Sequence, residues 1–365
     1  MTISAVILFV IGLCFVLGAI DFIIGDKMRL GTIFADTFRK MGAVALGIMG
    51  LYSLAPVFSQ GLGAIFIPLA AVLHMEPAAF PALLFPVDLG GWGLCTGIAQ
   101  DAQLGAFFGA VAASILGATV GYCIPVSSTL IHKDLHPDLA LGTLSGLVVI
   151  PIALFVGGLT AGFNALQLLW NLLPALVLAV LLCIGLIVRP TLMTTIFTWF
   201  GRIMSGIGLC GIALQVLRVF GIWTPLPGLA PLDEASLMVV RVAFTMAGAM
   251  VLIELLQRLL KKPMEALGKK LGADGNTVAG LMIATVSALI VYSSFDKYPS
   301  RGRVLLAAFC ASGAFLLGGQ FSVVSLWAPE MVLAFIVAKL SGGLLAILLA
   351  LWLKTRRERE AAQDA

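Results

Sequence analysis

The stretch from Leu83 to Gly93 reads LLFPVDLGGWG, and its single acid, Asp88, stands among apolar residues with no lysine or arginine nearby. A charge held in such surroundings is costly unless it meets a partner or water. Pro86 removes a backbone donor, and Gly90 and Gly91 permit non-helical angles. Carbonyls freed at such a break carry partial negative charge. A carboxylate beside free carbonyls makes a site for a small cation. The ring faces of Phe85 and Trp92 would add about 0.5–2 kcal/mol for an ammonium group. The competing arrangement is an internal ion pair with Arg241 or Lys339, the two basic residues well inside apolar runs.

The surroundings of Asp88 follow from composition. Of 365 residues, 61% are apolar and only 11% charged, and the mean hydropathy is +1.10. Soluble domains carry ~25% charged residues. The chain therefore reads as an all-α polytopic membrane protein, since the alternation of barrel strands is absent. An acid there defaults to function, because exposure to lipid costs ~2.5–3.5 kcal/mol. The net charge of +4 sits in short loops and is no signal for nucleic acid. The six cysteines are scattered through apolar segments and read as packed free thiols. The first run, Ile3 to Ile24, is followed by Lys27 and Arg29, which predicts a retained helix with its N-terminus outside.

Apolar runs at 3–24, 41–58, 104–125, 139–161, 167–187, 194–219, 236–257, 303–327 and 330–353 predict about nine full crossings, and up to about eleven. Two regions differ. Residues 59–98 hold Pro68, Pro77, Pro81 and Pro86, and residues 277–295 hold Ser287, Ser293 and Ser294. Both read as broken or re-entrant helices. Leu73-His74-Met75-Glu76 aligns with Leu271-Gly272-Ala273-Asp274, and Ala113-Ser114 with Ala311-Ser312. The order of elements repeats with them: repeat 1 over 1–165, a linking helix over 166–190, repeat 2 over 191–353 and a tail over 354–365. Basic residues cluster at 27–40, 258–270, 297–303 and 354–359, and none falls from Met41 to Ile131. With these clusters in the cytoplasm, the two halves become inverted repeats and the C-terminus lies inside.

Gly105, Gly109, Ala113, Gly117 and Gly121 form a strip of small residues that invites close helix packing. Trp170, Trp199, Trp223, Trp327 and Trp352 read as interface anchors, and Asp21 as interfacial. His132 and His136, with Asp134 and Asp138, have helical spacing for a metal, but Pro137 and the lack of a glutamate argue against one. The segment 258–272 predicts an amphipathic helix on lipid headgroups. No phosphate loop, dinucleotide fingerprint or triad occurs, so neither an enzyme nor a cofactor is expected.

Four stretches carry a resemblance: MGAVALGIMGLYSLAPVF, PVDLGGWGL, IPVSSTLIHKDLHPDLALGTLSGLVVIPIALFVGGLTAG and RGRVLLAAFCASGAFLLGG. The chain resembles the ethanolamine permease family of ethanolamine utilisation, EutH, over most of its length. Asp88-Leu89-Gly90-Gly91 is similar to the family's Asp-Met-Gly-Gly stretch. The second half departs: Ser287-Ala288-Leu289-Ile290 replaces Asn-Asn-Ile-Pro, and Gly318-Gly319-Gln320 replaces Gly-Asp-His. The resemblance implies a bacterial inner-membrane carrier for protonated ethanolamine or a similar small cationic amine. Ser287 and Gln320 retain hydrogen-bonding groups for its hydroxyl. A membrane scaffold or sensor with a vestigial amine pocket is the alternative. Membrane lipids and a homo-oligomer are the other associations left open.

Overall fold

The computed structural model describes residues 2–222 and 226–363; Trp223 lies outside them. The described residues are mostly helical, with no strand among them. Seven helices are long and apolar enough to cross a membrane: α1 (Ile3–Ile23), α2 (Gly31–Leu73), α4 (Ala102–Leu130), α5 (His136–Thr160), α8 (Pro190–Val219), α9 (Leu232–Leu259) and α15 (Val332–Gln363). An eighth crossing results if α6 (Ala165–Asn171) and α7 (Leu173–Val188), bent by 47°, act as one. Large apolar side chains of α1, α7 and α8 point outward, among them Phe9, Ile184 and Ile203, as in a multi-pass membrane protein.

Two apolar runs differ from their sequence reading. The first irregular segment starts later than residue 59, because α2 continues through Pro56 and Pro68 to Leu73. Each proline forfeits one helical bond, whereas unwinding in apolar surroundings would strand many backbone groups. The helix ends where His74 turns left-handed at φ 53°. The run 303–327 is not one continuous helix. It divides into α13 (Ser300–Ser312) and α14 (Gly319–Trp327), with Gly313 and Gly318 bounding the gap.

The irregular segment after α2 carries Asp88 and leads into α3 (Trp92–Ile98). Buried Glu76 closes it: its carboxylate accepts from the amides of Gln100 (2.9 Å) and Asp101 (3.0 Å). The Glu76 amide in turn donates to Asn171 Oδ1 at 2.6 Å, fastening the segment to α6. Its floor is the small-residue face of α4. A Cβ on Gly117 would lie 2.4 Å from the Phe85 carbonyl oxygen, and one on Gly121 2.3 Å from that of Leu84. The middle of α4 widens to π-helical winding over Phe108–Gly117 and Thr119–Cys123.

The second irregular region lies between α11 (Gly275–Ala284) and α12 (Ala288–Tyr292). It crosses the gap between α13 and α14, and the two breaks satisfy each other. The Phe315 amide donates to the Ala284 carbonyl (3.0 Å) and the Leu317 amide to that of Thr285 (2.7 Å). Non-helical backbone survives at this depth only where protein covers it. Glycines of α5 bring α13 and α15 close: a Cβ on Gly142 would lie 2.4 Å from the Val304 carbonyl oxygen, and one on Gly157 2.7 Å from the Ala338 methyl.

Several polar residues have structural duties. Asp21, near the end of α1, is buried: it accepts from the amides of Met28, Leu30 and Gly31, tying the α1–α2 turn. Asp138 binds Arg303 (2.8 Å), Lys354 (3.3 Å) and Ser300 (2.8 Å), joining α5, α13 and α15. His136 Nε2 meets the Ile131 carbonyl at 3.1 Å, while His132 faces Asp134 in the exposed loop. Among the described residues no cluster of three or more His, Cys, Asp or Glu forms a metal-binding group. Trp327 is no lipid anchor; it stacks on Tyr52 at 5.3 Å and on Trp92 at 6.3 Å. Residues Lys261–Lys270 form the short helix α10, whose basic side chains are exposed.

Candidate substrate site

The backbone at Asp88 is shaped by its neighbours. Gly90 adopts φ +91°, which an L side chain rarely takes, and a Cβ on Gly91 would lie 2.4 Å from the Phe85 carbonyl oxygen. The Pro86 carbonyl accepts from the amides of both Leu89 (3.0 Å) and Gly91 (2.9 Å). The half-buried Asp88 at this tight winding lines a cavity of about 230 Å³.

Ser287, at the break before α12, and Gln320, in the first turn of α14, line the same cavity. Three predicted residues, far apart in sequence, thus meet. Gln320 is buried, and its Oε1 has no hydrogen-bond partner. A buried acceptor without a partner costs about 1–3 kcal/mol, a debt that a bound donor removes. The Ser287 hydroxyl does not cap α12 and is left to the cavity.

Other predicted residues stand elsewhere. Gly90 and Gly91 set the backbone and do not line the cavity. Phe85 packs its backbone on Gly117, and Trp92 stacks on Trp327, so neither offers a ring to the cavity. The rings that do so are Tyr122 and Phe315, set edge to face at 5.9 Å. Both lay in runs read as unbroken spans. The glycines flanking Phe315 (Gly313, Gly318 and Gly319) were the available signal of a break.

The competing ion pair is absent among the described residues, where no basic group lies within 4.0 Å of Asp88. Arg241 is exposed on α9. Lys339 is buried, and its ammonium donates to the carbonyls of Ser114 (2.8 Å) and Ala314 (2.6 Å). Asp88 is therefore free to meet a ligand. The cavity offers the Asp88 carboxylate, the orphaned Gln320 Oε1, the Ser287 hydroxyl and the Tyr122 and Phe315 rings, and Thr37, Lys40 and Ser205 line it as well. Drug-sized ligands need ~300–1,000 Å³. This smaller volume fits a compact molecule with a cationic end and a hydrogen-bonding end.

Comparison with known proteins shows the family of the chain. The family described as "Ethanolamine utilisation protein, EutH" matches residues 3–353. A Listeria monocytogenes protein named "Probable ethanolamine permease EutH" is 34% identical, over 100% of both chains. Escherichia coli and Salmonella typhimurium proteins of the same name are 29% and 30% identical, covering 90% and 88% of this chain and 87% and 84% of their own. No solved structure matches the chain. Coverage of nearly the whole sequence by the family places the chain in the EutH family of ethanolamine utilisation proteins.

Proposed function

We propose that this chain is a secondary transporter or facilitator that moves protonated ethanolamine, or a closely related small amine, across a bacterial inner membrane. The observation that carries the reading is the pairing, in one small cavity, of the Asp88 carboxylate with the unsatisfied Gln320 Oε1. The carboxylate receives the ammonium, and Oε1 accepts from the hydroxyl at the other end. Ser287 supplements the hydroxyl contact, and the Tyr122 and Phe315 rings cover the ethylene carbons. The names of the relatives support ethanolamine as the amine.

Alternating access is taken to rest on two inverted repeats, over 1–165 and 191–353, linked through 166–190. The broken elements around Asp88 and around Ser287 and Gln320 are their counterparts. Counting α6 with α7, and α13 with α14, as one crossing each gives nine, with the N-terminus outside and the C-terminus in the cytoplasm.

Asp88→Asn tests the reading. Asparagine keeps the shape and removes the charge. A hydrogen bond to a charged group is worth about 1.5–3 kcal/mol, so ethanolamine affinity is expected to fall roughly 10- to 100-fold. Uptake of labelled ethanolamine, in cells lacking their own permease, should fall with it, while yield and melting temperature stay near wild type. Unchanged uptake would refute the proposal. So would a destabilised variant restored by neutralising Lys339, since Asp88 would then be a structural counter-ion.

A further inference from the structure

Lys339 is a cation buried in the core, with only 1% of its surface exposed. Buried cations are ordinarily paired with a carboxylate. No acid lies within 4.0 Å of this one among the described residues. Its ligands are instead two backbone carbonyls from two different elements. Ser114 belongs to the π-helical part of α4, and Ala314 to the gap between α13 and α14. Two ring faces complete the surround, Phe335 at 5.2 Å and Phe315 at 5.9 Å.

The same small space is bordered by the hydroxyls of Ser114, Thr119 and Ser312. Each spends its proton on a backbone carbonyl: Ser114 on Ala110, Thr119 on Ile115 and Ala311, and Ser312 on Ala308 and Gly342. Their lone pairs stay free to accept. Phe315 takes φ +63°, rare for an aromatic residue, and this fixes the peptide whose carbonyl reaches the ammonium. Carbonyl and hydroxyl oxygens gathered at unwound helix breaks are the ligands that transporters give to alkali cations.

We propose that Lys339 fills a monovalent-cation site with its own tethered ammonium, and that removing the side chain opens that site to a free alkali cation. The Phe315 ring lies both beside this site and in the wall of the amine cavity, so the two are neighbours. A cation supplied by the chain makes binding and uptake independent of sodium. The inference goes beyond the amine reading, and its test does not require that any amine be bound.

The test compares purified wild type, Lys339→Ala and Lys339→Met in chloride salts of Na⁺, K⁺, Li⁺ and N-methylglucamine at equal ionic strength. Alanine leaves a space lined with oxygens, whereas methionine fills it with an apolar chain. Lys339→Ala should melt well below wild type in N-methylglucamine. At least one alkali cation should raise that melting temperature saturably by about 5 °C, as a ligand that binds only the folded state must. Wild type and Lys339→Met should show no selective response. If sodium is the cation, equilibrium dialysis with radioactive Na⁺ should find a site in Lys339→Ala and none in wild type. A Lys339→Ala protein indifferent to all three cations, or one that fails to fold in any of them, overturns the proposal. So does a wild type that responds equally.

Discussion

Asp88, Ser287 and Gln320 divide the work of holding a small amino alcohol between charge and hydrogen bonding. Only the acid is needed for an alkylamine without a hydroxyl. Ser287→Ala and Gln320→Ala should therefore weaken ethanolamine binding more than ethylamine binding. A neutral hydrogen bond is worth about 0.5–1.5 kcal/mol, so the selective loss should be roughly two- to tenfold in affinity. Calorimetric titration of both amines into each variant measures it, and an equal loss for both would mean that the residues only support the fold. Asp88 was legible because a lone acid in an apolar run has few harmless explanations. Ser287 and Gln320 came from the two places where the second half departs from the family it resembles and keeps hydrogen-bonding groups. Phe85 and Trp92 were misjudged because proximity in sequence does not give direction where the backbone is irregular. Gly90 and Gly91 turn it so that both rings leave the cavity that Asp88 enters. The same uncertainty hid Tyr122 and Phe315, whose chain neighbours are ordinary apolar residues.

At the level of elements, the site depends on how closely one irregular segment lies on α4. The strip of small residues was readable from its four-residue spacing, and close approach was the expectation. What approaches is not a regular helix. Only Gly109 meets one, since a Cβ there would lie 3.2 Å from Cys95 Cβ and Trp92 Cε3 of α3, while Gly117 and Gly121 meet the irregular chain from Ala82 to Pro86. A Cβ on Gly121 would lie 2.3 Å from the Leu84 carbonyl oxygen and 2.7 Å from Pro86 Cδ. Neither atom is the end of a flexible side chain, so the segment bearing Asp88 must shift. Gly121→Val should lower stability by about 1–3 kcal/mol, the usual cost of overpacking, and weaken amine binding as well. Gly12→Ala is the matched control, since nothing lies within 4 Å of its added methyl. It should leave melting temperature and binding unchanged or slightly improved. Equal effects from the two variants would show that glycine content matters and close contact does not. The break between α13 and α14 escaped the sequence reading because no proline marks it. Its stability comes from hydrogen bonds to Ala284 and Thr285, and such long-range pairing leaves no local trace.

For the whole molecule, composition alone decided that the chain is helical and spans a membrane many times. The number of crossings was harder to read, because hydropathy registers apolar length and not continuity. The run 303–327 is apolar enough for one span but is built as two helices. Orientation rests on a different quantity, the placement of lysine and arginine. Lys27, Arg29, Arg39 and Lys40 precede the long body of α2, and no lysine or arginine follows until Lys133. Arg258, Lys261, Lys262, Lys269 and Lys270 then cluster between α9 and α11. If both basic groups are cytoplasmic, Gln103 at the start of α4 lies outside and Lys270 at the end of α10 inside. Both positions are exposed in the structure. Of the native cysteines, Cys14, Cys95, Cys123 and Cys310 are buried, so only Cys183 and Cys210 need replacing before a new cysteine is introduced. In intact cells an impermeant maleimide should then label Gln103→Cys, and should label Lys270→Cys only after the membrane is opened. Labelling of both from the same side would remove the inverted arrangement of the two halves, and with it the placement of Asp88 and Gln320 on opposing repeats.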